Sequence, residues 1–135
     1  MHIANAQGPS QDQQIAALTR DDGQPIYMLN LLKFREKAVY ADGRETDLTG
    51  VQAYALYGRA MSKLVAEAGG TLVFTAKVRG LLIGEVEDNW DSVGIMMYPS
   101  FKAMAAITSS PDYAAIHVHR DAGLAGQVLI ETVMA

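Results

Sequence analysis

Two residues near the C-terminus, His117 and Arg120, have side chains that move protons and hold anions. On a helix they share a face with Tyr113 and Ile116. An imidazole titrates near neutral pH, so His117 can take or give a proton. A guanidinium fork matches a carboxylate, so Arg120 can hold an anionic or enolate oxygen. His119 is offset from His117 by two positions and points elsewhere. A helical metal site needs spacing such as His-Glu-x-x-His, which this pair does not offer. The third histidine, His2, lies in the N-terminal tail. No metal and no cofactor are therefore expected, although a lone haem ligand at His117 stays open. The plainer reading of His117 is an ordinary histidine near a helix C-terminus, favoured by the macrodipole.

Other polar groups sit in apolar surroundings. Asn30 falls in the run Met28-Leu29-Asn30-Leu31-Leu32, on the same strand face as Met28 and Leu32. A buried amide must find partners, so Asn30 is either a satisfied core amide or a group orienting a ligand's carbonyl. Tyr54 and Tyr57 lie on the apolar stripe of a long helix. They read first as core, and second as phenols gripping a polar ligand. Trp90, the only tryptophan, lies in an acidic stretch with Glu85, Glu87, Asp88 and Asp91. Two carboxylates there could do acid/base work, but a solvated loop explains them as well. The candidate catalytic groups are Asn30, Tyr57 and His117. The candidate ligand contacts are Tyr54, Arg120 and Trp90. There is no nucleophile elbow, phosphate loop or dinucleotide fingerprint, and Gly69-Gly70 ends a helix rather than opening one.

The elements that must position these groups are legible. The stretch from Gln52 to Gly70 carries Tyr54, Tyr57, Met61, Leu64, Val65 and Ala68 at helical spacing, with Thr49 and Gln52 as a capping box. Ser10 and Gln13 repeat that box before a short helix ending near Asp21. Ile26 to Phe34 is a strand apolar on both faces. Arg35 to Leu48 is long, polar and turn-rich, and reads as a mobile flap, as do the first residues to about Gly8. Strands are expected over Thr71–Arg79, Val93–Tyr98 and Gln127–Met134, with Gly80 as a bulge. Ser100 and Ser110-Pro111 begin two further helices, the second running to about Ala122. Residues 1–24 form an N-terminal tail with a short helix, and 25–135 the domain. The order βαββαβ implies an α+β, ferredoxin-like fold with helices on one sheet face.

The 135 residues suit one domain, and a hydrophobic fraction of 50% can fill a core. A net charge of −4 with no basic run argues against nucleic acid and anionic membranes. Absence of cysteine excludes disulfides, thiolate nucleophiles and cysteine-based metal sites. No apolar run spans a bilayer and no signal peptide is visible, so a cytoplasmic protein is expected. Helices on one face leave the other face of two-sided strands bare, which predicts a homodimer. The alternative cover is the N-terminal helix with the long loop.

Several short motifs in order resemble a known group: Met28-Leu29-Asn30-Leu31-Leu32-Lys33-Phe34, Tyr54-Ala55-Leu56-Tyr57, Ala68-Gly69-Gly70, Tyr98-Pro99-Ser100 and Ser110-Pro111-Asp112-Tyr113. The chain is similar over about Pro25 to Val133 to the domain of unknown function 1330 family, within the dimeric α/β-barrel superfamily. The N-terminal helix, the long loop and the Trp90 loop depart from the pattern. The resemblance implies two four-stranded sheets packed as a dimeric barrel, with a pocket between sheet and helices. By fold analogy it also implies a cofactor-independent enzyme of oxygenase or isomerase type acting on a small organic molecule. The alternative is a non-catalytic small-ligand-binding or dimeric assembly module.

Overall fold

The structure, a computed structural model, describes residues 3–135. His2 lies outside the described residues. The elements run α1 (Gln11–Arg20), β1 (Ile26–Phe34), α2 (Gly50–Glu67), β2 (Thr71–Lys77), β3 (Ser92–Tyr98), α3 (Phe101–Thr108), α4 (Pro111–Gly123) and β4 (Leu124–Thr132). Every helix start carries the side-chain cap that its sequence predicts. Ser10 and Thr49 close reciprocal capping boxes with Gln13 and Gln52. Ser100 and Ser110 accept from Ala103 N and Tyr113 N. Each cap satisfies amides that a first helical turn leaves unpaired.

The strands form one antiparallel sheet in the order β2-β3-β1-β4. With its two helical crossovers this is the ferredoxin-like arrangement. A single chain contributes one four-stranded sheet and four helices. None of those helices is long and apolar enough to cross a membrane. The core joins Ile26 and Met28 of β1 and Tyr98 of β3 to Met61 and Val65 of α2 and Ile107 of α3. Tyr113 and Ile116 of α4 pack against it. The even-numbered residues of β1 therefore face the helices. Tyr27, Leu29 and Leu31 face the other way, paired with Met97, Ile95 and Val93 on one side and Thr132, Ile130 and Val128 on the other. Among the described residues, no buried hydrophobic comes from this second face.

Three local expectations are corrected. The irregularity in β2 lies between Leu72 and Phe74, not at Gly80. Leu72 pairs with Met96 and Phe74 with Ile95, so the two residues occupy opposite faces despite their spacing. An added residue inverts the alternation beyond it. β2 ends at Lys77, and Leu82 and Ile83 lie in a loop at 97% and 89% exposure. Secondly, β4 begins at Leu124, directly after α4. Thirdly, the N-terminal segment is tied down at Ala6, which exchanges both backbone hydrogen bonds with Gln127.

The flap from Arg35 to Leu48 is also corrected, because its premise of no apolar anchor does not hold. Ala38 and Tyr40 are buried, in a second small core with Ala53 of α2 and Ala122 of α4. Arg35 N donates to Gly123 O, Ala38 N to Leu48 O and Val39 N to Ala122 O. Hydrogen exchange is expected to be slow at the Ala38 and Val39 amides and fast from Asp42 to Asp47, where the chain is exposed. Uniformly fast exchange across the loop would show that these bonds do not persist.

The first turn of α2 crosses the last turn of α4 at two glycines. A Cβ on Gly50 would run into the Arg35 carbonyl oxygen and lie 2.7 Å from Gly123 O. A Cβ on Gly123 would meet Gly50 O and lie 2.9 Å from Tyr54 N. This contact sets how closely the site's two helices approach.

Candidate functional site

Along α4, Tyr113, His117 and Arg120 recur at spacings of four and three and lie on one side of the helix. The Tyr113 and His117 rings stack at 5.8 Å. Facing α4, α2 supplies Tyr54 and Tyr57, whose rings are 5.4 Å apart. Tyr57 meets Tyr113 edge-on at 6.2 Å, and Phe34 of β1 meets Tyr54 at 5.3 Å. A continuous row of aromatic rings thus runs from β1 over α2 to α4.

A polar chain crosses beneath this row. His117 Nδ1 lies 3.0 Å from Asp121 Oδ2. Arg120 Nη1–H donates to Asp121 Oδ1 at 2.9 Å, and Nη2–H to Gln127 Oε1 at 2.6 Å. Gln127 Nε2–H donates to Asn30 Oδ1 at 2.7 Å. Asn30 Nδ2–H donates to Met28 O at 3.1 Å and Gly94 O at 3.4 Å. The Arg120 side chain is only 15% exposed, whereas those of His117 and Asp121 are 41% and 40% exposed. The chain therefore runs from the sheet interior to the surface.

The structure brings together five of the six predicted site residues: Asn30, Tyr54, Tyr57, His117 and Arg120. It separates the sixth. Trp90 lines a recess of about 200 Å³ with Ile3, Ala4, Asn5, Val86, Glu87 and Asp88, and its Nε1–H donates to Asn5 Oδ1 at 2.8 Å. A second recess, of about 290 Å³, lies between the end of α1 and β4. Neither is lined by any of the five. His119 bonds Tyr40 in the flap at 2.7 Å, away from His117. Among the described residues, no three histidine or carboxylate side chains are grouped to hold a metal ion.

Asn30 is committed at both ends of its amide to protein partners. Asn30→Ala would leave the Gln127 amide without its acceptor, in a half-buried layer. We expect a loss of about 1–3 kcal/mol in denaturant unfolding, the usual cost of orphaning a buried polar group. An unchanged unfolding midpoint would show that the amide carries no structural weight.

The tyrosine hydroxyls behave differently. Tyr54, Tyr57 and Tyr98 make no hydrogen bond through oxygen to any described residue, yet among the described residues no side-chain polar atom lacking a partner is cut off from solvent. Each hydroxyl therefore keeps some contact with solvent, although the Tyr98 residue is only 5% exposed. Burial pushes the Tyr54 phenol up to about 12, with Arg120 pulling it partly back. Burial raises Tyr57 and Tyr98 as well, and neighbouring phenols add to it. All three stay protonated at neutral pH and present O–H donors.

The profile of the family described as domain of unknown function (DUF1330) matches residues 38–133. The chain belongs to this family. A protein of unknown function from Rhodopseudomonas palustris, RPA0582, is similar over 98% of both chains, at 31% identity and a TM-score of 0.87. Its methylated form aligns at 34% identity and 0.88, over 98% of this chain and 97% of that one. An uncharacterised NIPSNAP domain protein from Burkholderia xenovorans shares the fold alone, at 13% identity and 0.52, over 83% of this chain and 95% of that one. No curated protein matches the chain. In this DUF1330 chain the matched span begins after β1, so it omits Asn30 and the strand that carries it. The likeness to RPA0582 takes in β1 and α1.

Reasoning from sequence missed Asp121 and Gln127. Asp121 had a signal, since it stands four residues after His117 on the same helix. Gln127 had none. Only the pairing of β1 with β4 places it beside Asn30 and within reach of Arg120.

Proposed function

We propose that this DUF1330 protein is a homodimeric small-molecule-binding protein, with a site in each copy between the sheet and α2 and α4. One observation carries the binding half: the half-buried Tyr54 and Tyr57, close enough to Arg120 to feel its charge, and the buried Tyr98 near Tyr54 and Tyr113 have hydroxyls without a partner among the described residues. Groups left unsatisfied on an otherwise apolar wall are what a ligand site presents. The apolar outer face of the sheet supports the dimer. A second copy packing sheet on sheet would bury it and complete the two-sheet barrel.

Binding is favoured over catalysis. Asn30 is held by Met28, Gly94 and Gln127, which leaves it no group to offer a reacting carbonyl. The enzymatic reading, a cofactor-independent oxygenase or isomerase, keeps one feature: His117 with Asp121, a base and the carboxylate that orients it.

The reading is tested by native mass spectrometry of the purified protein against a library of small organic molecules. Tyr57→Phe removes one hydroxyl and leaves the ring in place. Compounds retained by the wild type and released by this variant are the expected result. Retention indifferent to Tyr57→Phe would place binding elsewhere and overturn the proposal.

A further inference from the structure

β4 is an outermost strand of the sheet. Such a strand presents backbone N–H and C=O groups that a second chain can take. Gln127 turns both of its groups outward, since both bond Ala6 rather than β1. Alternate residues of an antiparallel strand turn theirs to the same side, so Leu129 and Glu131 share that edge.

Ala6 N–H donates to Gln127 O at 3.0 Å, and Gln127 N–H donates to Ala6 O at 2.8 Å. This is the paired exchange of an antiparallel ladder, the same one a foreign strand would make. The neighbours of Ala6 hold it there. Gln7 Nε2–H donates to Leu124 O at 2.7 Å. Asn5 Oδ1 accepts from Trp90 Nε1–H at 2.8 Å. Gly126 permits the close approach, because a Cβ there would lie 2.5 Å from the Cβ of Asn5. Towards the other end of the strand, Arg20 of α1 binds Glu131 through two N–H groups at 3.0 and 3.2 Å. Leu129, between these two attachments, is 43% exposed.

We infer that residues 5–7 are an edge guard: a strap that occupies the free edge of β4 and, when displaced, leaves that edge to pair with β4 of a second copy of the chain. The strand suits its own copy. Two-fold antiparallel pairing about Leu129 sets Leu129 against Leu129 and Gln127 against Glu131. No like charges then oppose one another, and an amide meets a carboxylate.

Two variants of the full chain displace the strap by different means. Gly126→Ala places a carbon against Asn5 close to its backbone, where no side-chain tip can swing aside. Ala6→Pro removes the N–H that Gln127 O accepts. In both, hydrogen exchange at the Gln127 amide is expected to quicken about tenfold or more. The emission of Trp90, the only tryptophan, is expected to move to longer wavelength as Asn5 leaves it. Sedimentation at rising micromolar concentration should then show an average mass climbing above that of the wild type, with cooperative melting retained. Mass is compared with the wild type, so the result does not depend on how many copies the wild type itself contains. Adding Leu129→Lys to either variant sets lysine against lysine and should restore the wild-type mass. A Gln127 amide unmoved in both variants would overturn the strap itself. A released strap with the wild-type mass at every concentration would overturn the guard. A raised mass that Leu129→Lys leaves in place would overturn pairing through β4.

Discussion

Gly50→Ala is expected to destabilise the protein by about 3 kcal/mol or more, the upper end of what overpacking costs. Gly58→Ala, in the same helix, is expected to stabilise it by up to about 1 kcal/mol. Both changes add one methyl group and remove the same backbone freedom. Their surroundings decide the opposite signs. The added carbon at position 50 collides with the backbone carbonyl of Arg35 and crowds that of Gly123. Backbone cannot rotate away as a side-chain tip can, so α2 and α4 must separate. At position 58 nothing lies within 4 Å. Parting the helices would also move Tyr54 and Tyr57 away from α4, so any residual folded Gly50→Ala protein should lose ligand binding first. Urea unfolding of the two variants beside the wild type measures both signs. Equal effects would mean that α2 and α4 do not approach as closely as described.

The second large effect concerns the outer sheet face. Ile95→Asp places a charge between Leu29 of β1 and Phe74 of β2. Within one chain that face is partly open, and Phe74 is 51% exposed. The charge could therefore keep some water in a monomer, whereas beneath a second sheet it could not. An uncompensated charge there costs several kcal/mol, and two-fold symmetry imposes it twice. The wild type is expected to sediment at micromolar concentration at twice the 14.6 kDa chain mass. Ile95→Asp should sediment as a monomer with a lowered melting temperature. Val93→Asp, on the same layer, should act alike. A wild-type monomer, or an Ile95→Asp dimer as tight as the wild type, would sink the sheet-on-sheet assembly.

Much of the fold was legible because local chemistry specifies it. Thr49 with Gln52 and Ser10 with Gln13 announce helix starts through reciprocal hydrogen bonds spanning three residues. Ser110-Pro111 does so through a cap and a preset φ. The spacing of Tyr57, Met61, Leu64 and Val65 selects the buried face of α2 without reference to any other element. The two-sided apolar character of Ile26–Phe34 belongs to the strand itself. What failed to read were features whose cause lies far along the chain. The flap looked free because Ala38 and Tyr40 are anchored by Ala53 and Ala122, residues of two helices that follow it. The bulge in β2 was misplaced because a register shift is defined only against β3.

The candidate site divides along the same line. The sequence by itself determined which side chains each element turns inward: Asn30 with Met28 and Leu32, Tyr54 with Tyr57, and His117 with Arg120 and Tyr113. Helical and strand periodicity suffice for that. Tertiary structure alone decided what those side chains do. Pairing β1 with β4 set Gln127 against Asn30 and committed that amide, and Asp121 and Gln127 together took up Arg120. Trp90 was carried to a different surface, against Asn5. Periodicity is a property of neighbours in the chain. Whether the Asn30 amide is satisfied depends on a partner 97 residues away, which no local pattern encodes.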